Sequence, residues 1–272
     1  MIVGITTSFF DELTPEQMVE TFARKGWYNL ELSSEHAERL LGRGDPEKVG
    51  KELAKFAQDN GVSFPQGHLW LTCDIAASNQ DEVIDILKQW LDLFMAIGIR
   101  AAVLHPGGDE LLQGGSDFDK VLEARLRALS ALINHIDGTD ITICLENIPK
   151  TAPEADDLLA IIKAANTKEH LGICLDTGHL NLTIRRQAEF IRKTAPYLKA
   201  LHIADNDGTG DQHLMTYEIG TVKWDEVISA LKEIKYSRLF NFEIPGEQNC
   251  PLPVRLAKLD YLKALSELMT AR

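Results

Sequence analysis

Apolar runs along this chain keep stopping on a residue that can ionise or bind a cation. YNLEL reaches Glu31, VSFPQGH reaches His68, AAVLH reaches His105, ITICLE reaches Glu146, LGICLD reaches Asp176, LKALH reaches His202 and RLFNFE reaches Glu243. Acidic and imidazole side chains are almost never buried without partners. Scattered through a core they would be costly, whereas one shared polar site at one end of a sheet accommodates them all. The sharpest case is Gly172-Ile-Cys-Leu-Asp-Thr-Gly-His-Leu-Asn181. There an apolar strand runs into Asp176 and, past a Thr-Gly turn, into His179, so a carboxylate and an imidazole face one cavity.

Helical patterns fill the gaps between these strands. Strand 1 spans about Met1 to Thr6 and leads into Thr7-Ser8-Phe9-Phe10, after which Thr14-Pro15-Glu16 reads as an N-cap, a first-turn proline and an acidic start. Ser33 to Gly44 reads as a loop at the mouth with room for a short turn, and the next helix starts after Asp45-Pro46 and stops at Asn60-Gly61. Val83, Ile84, Leu87, Leu91 and Phe94 share one face of a helix from Gln80 to Ile97 that Gly98 closes. Further helices are expected over Asp117 to His135, Pro153 to Lys168, Arg185 to Ala195, Trp224 to Ile234 and Pro253 to Met269. Strands alternating with helices across residues 1–272 predict an α/β chain folded as a single-domain (β/α)8 TIM barrel. An open doubly wound sheet would want a Gly-x-Gly-x-x-Gly turn after strand 1 and its polar residues gathered at one crossover. Neither is present.

Charge narrows the partners. The formal net charge is −13, from 41 acidic against 28 basic residues, and no dense basic run offsets it, which argues against nucleic acid. Cys73, Cys144, Cys174 and Cys250 are scattered without a C-x-x-C pair, and Cys144 and Cys174 sit inside apolar strands as small hydrophobes. No stretch reaches the ~18 apolar residues of a spanning helix, and MIVGITTSFF reads as a strand, not a signal peptide. The expectation is a cytoplasmic protein with no membrane partner.

In a barrel the strand ends converge, so Glu146, Asp176, His202 and Glu243 would ring one centre. Carboxylates that close together repel unless neutralised, and a divalent cation is the ordinary solution. Buried ion pairing would need several Lys or Arg at the same ends, where only Lys150 and Arg185 are near. Oxygen and nitrogen donors without Cys suit Mn²⁺, Mg²⁺, Co²⁺ or Zn²⁺. His68 and His105 could hold a second ion with Glu146 as bridge, and His179, Asp211 and His213 a third. Each of these histidines reads equally as a donor that orients a ligand or meets the substrate.

Cys-Leu-Asp-Thr-Gly-His (174–179), Leu-Glu-Asn (145–147), Leu-His-Ile-Ala-Asp-Asn-Asp-Gly (201–208), Asp-Gln-His (211–213) and Glu243 together resemble the xylose-isomerase-like TIM barrel superfamily of sugar isomerases and epimerases, which also contains the endonuclease IV branch. The likeness runs from strand 1 to the last helix. In the epimerase branch it implies one divalent ion on Glu146, Asp176, His202 and Glu243, with Glu146 and Glu243 on opposite sides of a bound sugar. In the endonuclease IV branch it implies three zinc ions, held by His68, His105 and Glu146, by Glu146, Asp176, His202 and Glu243, and by His179, Asp211 and His213. The epimerase branch often carries an Arg shortly after the strand 7 His; here that region is Asp205-Asn206-Asp207-Gly208.

The expected reaction is isomerisation or epimerisation of a sugar or polyol-like ketone, by proton transfer through a metal-stabilised enediolate with Glu146 and Glu243 as acid and base. A multi-zinc phosphodiesterase resembling endonuclease IV, and a metal-dependent lyase resembling inosose dehydratase, are the alternatives. His179, His68, Trp70, Phe9 and Glu31 are candidate substrate contacts. Leu69-Trp70-Leu71 is too apolar for a plain surface loop and marks a wall of the site or a homo-oligomer contact.

Overall fold

Each anticipated strand forms, and the strands pair in parallel. They are β1 (Ile2–Thr6), β2 (Asn29–Leu32), β3 (Ser63–His68), β4 (Ala101–Leu104), β5 (Thr142–Glu146), β6 (Leu171–Asp176), β7 (Leu198–His202) and β8 (Leu239–Phe242), hydrogen-bonded in the order β7-β6-β5-β4-β3-β2-β1-β8. The two ends of that order meet. Ile203 N donates to Asn241 O at 2.8 Å and Glu243 N donates to Ile203 O at 3.1 Å, so the sheet closes into a (β/α)8 TIM barrel. The computed structural model describes residues 1–167, 169–247 and 249–271.

Around the barrel run α1 (Pro15–Arg24), α2 (Ser34–Leu41), α3 (Pro46–Asp59), α4 (Gln80–Ile97), α5 (Asp109–Gln113), α6 (Phe118–His135), α7 (Ala155–Ala165), α8 (Thr177–Asn181), α9 (Gln187–Thr194), α10 (Trp224–Glu233) and α11 (Leu252–Ala271). Local chemistry starts and stops them. Thr14 and Gln17 form a reciprocal capping box on α1, Asp45 accepts from Lys48 N ahead of Pro46 at the head of α3, and Gly98 ends α4 at φ 91°, a conformation open to glycine without strain. No helix among the described residues is long and apolar enough to cross a membrane.

Three expectations are corrected. The segment from Ser33 to Gly44 is not a loop: Ser33 caps α2 through His36 N, and the buried His36 ring meets Thr7 and Ser33, so an amphipathic turn covers this side of the barrel. Phe9 is not presented to the mouth. A 3-10 turn over Thr7–Phe10 folds Phe9 and Phe10 fully into the core, edge-on to each other and to Phe22, with the Arg255 guanidinium over Phe10. The Thr-Gly "turn" after Asp176 is the first turn of α8, capped by Asp176 itself. The expected end of the α7 segment at Lys168 lies outside the described residues.

The core has two compartments. A large apolar layer lies between strands and helices, while Ala101, Val103, Cys144, Cys174 and Ala200 form a separate buried cluster inside the barrel. Closure of eight strands brings the residues at the strand ends within reach of one another, above this cluster of small side chains.

Two loops at that end are tied from behind. Arg125, buried on α6, donates to Pro106 O, to Gly107 O at 2.6 Å and to Thr151 O at 3.0 Å, linking the segments that follow β4 and β5. Asp74 accepts from Ala76 N, Gly108 N and Glu110 N in the same region. Replacing Arg125 by Met should leave these buried carbonyls without donors and lower the unfolding free energy by about 2–4 kcal/mol, read as a shift of the urea midpoint.

Candidate metal centre

Strands β5, β6 and β7 end on Glu146, Asp176 and His202, and Glu243 follows the last residue of β8. His202 Nδ1 is their meeting point. It lies 3.2 Å from Glu146 Oε1, 3.4 Å from Glu243 Oε2 and 4.0 Å from Asp176 Oδ2. One donor atom from each of these four residues falls within 4.8 Å of the others, and the same holds for His68, Glu146 and His202.

The other expected residues arrive at the same mouth. His68 Nε2 and His105 Nε2 stand 3.4 and 3.5 Å from Glu146 Oε2, their rings edge to face. His179 Nε2 and His213 Nε2 stand 3.3 and 3.2 Å from Asp211 Oδ2. Glu146 is thus ringed by imidazoles from four different chain segments.

Three of these rings have their outer nitrogen engaged. His68 Nδ1 meets Leu69 O at 2.8 Å, His213 Nδ1 meets Glu243 O at 2.9 Å, and His202 Nε2 meets Glu31 Oε2 at 2.9 Å. A ring whose one N–H is held by a carbonyl or carboxylate keeps the other nitrogen's lone pair for the site, the usual second contact of a metal-binding histidine.

Electrostatics show what is missing from a protein-only account. Glu146 Oε2 and Asp176 Oδ2 are buried with no hydrogen-bond partner of good geometry. Among the described residues no Lys or Arg pairs with Glu146, Asp176, Glu243 or Asp211; their ionic partners are histidines. Burial pushes the Glu243 carboxyl up to about 8, reinforced by Asp176 and Glu146 and opposed by His202 and His213. Burial pulls His179 and His213 down, yet the acids around them together outweigh it: Asp176, Asp211 and Glu146 hold His179 at about 12, and Asp211, Glu243 and Asp176 hold His213 at about 10. Excess protons on the rings stand in for a cation, and a divalent ion would satisfy the orphaned oxygens while releasing those protons.

Several supporting residues were not assigned these roles from sequence. Glu31, expected at a substrate, is instead buried behind His202, where Gln66 Nε2 also donates to it. Asn147 pairs its amide with both backbone groups of Asp176, donating to the carbonyl at 3.0 Å and accepting from N–H at 2.8 Å. The Thr177 hydroxyl donates to His202 O and Ala204 O, and Asp205 accepts from Trp224 Nε1 at 2.7 Å, anchoring the loop after β7 to α10. Trp70 is half-buried and Lys150 exposed, while Arg185 donates to Asn181 O and Gly208 O. The Leu-Glu-Asn and Asp-Thr-Gly-His runs contained Asn147 and Thr177, but only the fold reveals what they touch.

Comparison with known proteins follows the same lines. A family model described as "Xylose isomerase-like TIM barrel" matches residues 19–267. An uncharacterized protein of Sinorhizobium fredii is 26% identical over 195 residues, 71% of this chain and 60% of that protein. A probable endonuclease 4 of Mesoplasma florum is 31% identical over 102 residues, 36% of this chain and 33% of that protein. The chain therefore aligns with about 60% or less of the length of these curated relatives. Among solved structures, D-psicose 3-epimerase with D-tagatose from Clostridium cellulolyticum H10 superposes with a TM-score of 0.82 at 15% identity, covering 99% of each chain.

Two outcomes follow from the geometry. Glu31→Gln should weaken divalent-ion affinity by about 10- to 100-fold, measured by competition with a chromogenic chelator, because His202 loses the anion that orients it. Ion binding at pH 7 should release protons, and affinity should rise with pH through the Glu243 value of about 8 and toward the His213 value of about 10. The sign follows from both groups being more protonated without the ion; calorimetry in buffers of different ionisation enthalpy counts the protons.

Proposed function

We propose, for a chain that belongs to the xylose isomerase-like TIM barrel family, that it is a divalent-metal-dependent sugar isomerase or epimerase. One observation carries the reading. Two carboxylates, Glu146 and Glu243, stand 3.2 and 3.4 Å from the same His202 nitrogen at the open end of the barrel, so both belong to one ion-sized site.

Glu146, Asp176, His202 and Glu243 would hold the ion, a set rich in hard oxygen donors that suits Mn²⁺, Mg²⁺ or Co²⁺. When bound, it would polarise a substrate carbonyl and the neighbouring hydroxyl, making the proton on the intervening carbon easier to remove. The chain supplies the proton carriers. Glu243, its side chain 21% exposed against 1% for Glu146, is the carboxylate an incoming ligand meets first. Its value of about 8 places it near the range where a carboxyl both takes and returns a proton. Glu146 is the second carrier in an epimerisation; for a shift between adjacent carbons Glu243 serves alone. His179 stands 3.2 Å from Glu146 Oε1 and is placed to donate to a substrate hydroxyl. The substrate class is a small ketose or related polyol, in keeping with the D-psicose 3-epimerases and the D-tagatose 3-epimerase-like protein that share the fold. A cytoplasmic setting fits four unpaired cysteines.

A second reading has its own support. His179 and His213 share Asp211, and His68 and His105 share Glu146, so nitrogen-rich places exist for two further ions, as in a multi-zinc phosphodiesterase. The net charge of −13 counts against a nucleic-acid substrate.

Elemental analysis separates the two: one Mn²⁺, Mg²⁺ or Co²⁺ per chain is expected, and three zinc ions would move the assignment to the hydrolase. With metal present, solvent deuterium should enter D-fructose, D-tagatose or D-psicose at a carbon next to the carbonyl. Glu243→Gln should slow that exchange by about 10²- to 10⁴-fold, and Glu146→Gln by at least as much. Absence of exchange into any ketose, with cleavage of an abasic-site oligonucleotide, would replace this reading by the second.

A further inference from the structure

The other end of the barrel holds a cavity of about 470 Å³. Arg100 immediately precedes β4, Arg238 immediately precedes β8, Lys199 is the second residue of β7, and all three line it together with Gln66 and Asp140. In a chain of net charge −13, three cations facing one acid is a local reversal of sign. Residues at this face of a barrel ordinarily serve stability, and stability would call for paired charges. Among the described residues the side chains of Arg100, Lys199 and Arg238 make no ion pair or hydrogen bond, although the surface is otherwise rich in such pairs.

The backbone sets Lys199 in place. Ile173 pairs with Leu198 and Cys174 with Ala200, so Lys199 is the additional residue of a bulge that re-aims its side chain. Its stem crosses the base of β6, where a Cβ on Gly172 would come within 2.6 Å of Lys199 Cγ. Burial, and then the charge of Arg238, hold the Lys199 ammonium below its usual range, a cost that a bound anion would relieve. Gln66 backs the cavity with a side chain that is 1% exposed and whose Nε2 donates to Glu31 and Leu201 O, so the cavity is closed off from the mouth on that side.

We propose that this barrel floor binds a small molecule bearing a phosphoryl group, held by Arg100, Lys199 and Arg238. Guanidinium and ammonium groups converging without a carboxylate are the donors a phosphate dianion requires. The cavity has room for more than the oxyanion alone, so a phosphorylated small molecule such as a sugar phosphate fits it. The site lies outside the carboxylate cluster, and the assignment does not depend on which reaction occurs there.

The test is calorimetric titration of the full-length, metal-loaded chain with fructose 6-phosphate, inorganic phosphate and fructose. Saturable binding of fructose 6-phosphate is expected, weakened about tenfold or more by Lys199→Met with Arg238→Gln and by added salt. Arg100→Gln, at an exposed position, should give a smaller loss in a chain whose fold is undisturbed. Glu243→Gln, at the opposite end, should leave the affinity unchanged, which separates floor binding from binding at the mouth. Fructose 6-phosphate binding tighter than inorganic phosphate would identify a sugar phosphate as the ligand, and equal affinities would identify the free oxyanion; either supports phosphoryl recognition. No binding of either phosphate compound, or binding untouched by the floor substitutions, overturns the proposal.

Discussion

A carboxylate deep in protein and far from any lysine or arginine must find positive charge elsewhere, and Glu146 is where this chain faces that demand. Its side chain is buried, and the groups around it are the rings of His68, His105, His179 and His202. The histidine charges depress its ionisation well below the usual carboxylate range even though burial pushes the other way. Much of the mouth can be understood as scaffolding for that one charge. Asn147 keeps β6 in register beside it, Glu31 turns His202 toward it, and Arg125 secures the loops that follow β4 and β5.

Such scaffolding explains what the amino-acid sequence could and could not disclose. Strand ends were legible because an ionisable residue after an apolar run is expensive anywhere except at a shared site, and each such residue except Glu31 faces the mouth as that logic requires. Glu31 obeyed the rule but not the role, because period-two alternation says that a residue points inward and not how deep it sits. The helix within Ser33 to Gly44 is hard to read from its own residues, because the burial of His36 beside the Ser33 cap depends on Thr7 and Leu13, distant in sequence. Phe9 was misplaced for a related reason: which way a short 3-10 turn faces is decided by Phe22 and Arg255, from α1 and α11.

The interior of the barrel is uncommonly polar for a structure closed by β-strands. Asn241 is fully buried with neither amide atom partnered, and Gln66 keeps one end of its amide free while the other serves Glu31. Small residues, Ala101, Cys144, Cys174 and Ala200, form a buried cluster in the same interior. Burial lifts the Cys144 thiol to about 12 and raises Cys174 as well, so these sulfurs stay neutral beneath the acidic cluster and behave as methyl-sized spacers. The two ends of the barrel thus differ in sign, acidic and histidine-rich above, basic below, with a column of neutral groups between.

Asp176 has one more lesson to give. Its Oδ1 is already committed, accepting the His179 amide at 2.6 Å as the cap of α8, which leaves Oδ2 alone for a cation. His202, with Nε2 engaged by Glu31, likewise has a single tooth to offer. Glu146, Asp176, His202 and Glu243 would then hold an ion through few protein atoms, leaving room beside it for substrate oxygens such as a carbonyl and its neighbouring hydroxyl. The hydrogen bond that starts a five-residue helix would in this way also limit how much of Asp176 an ion could claim, and so keep room in which a diol can dock.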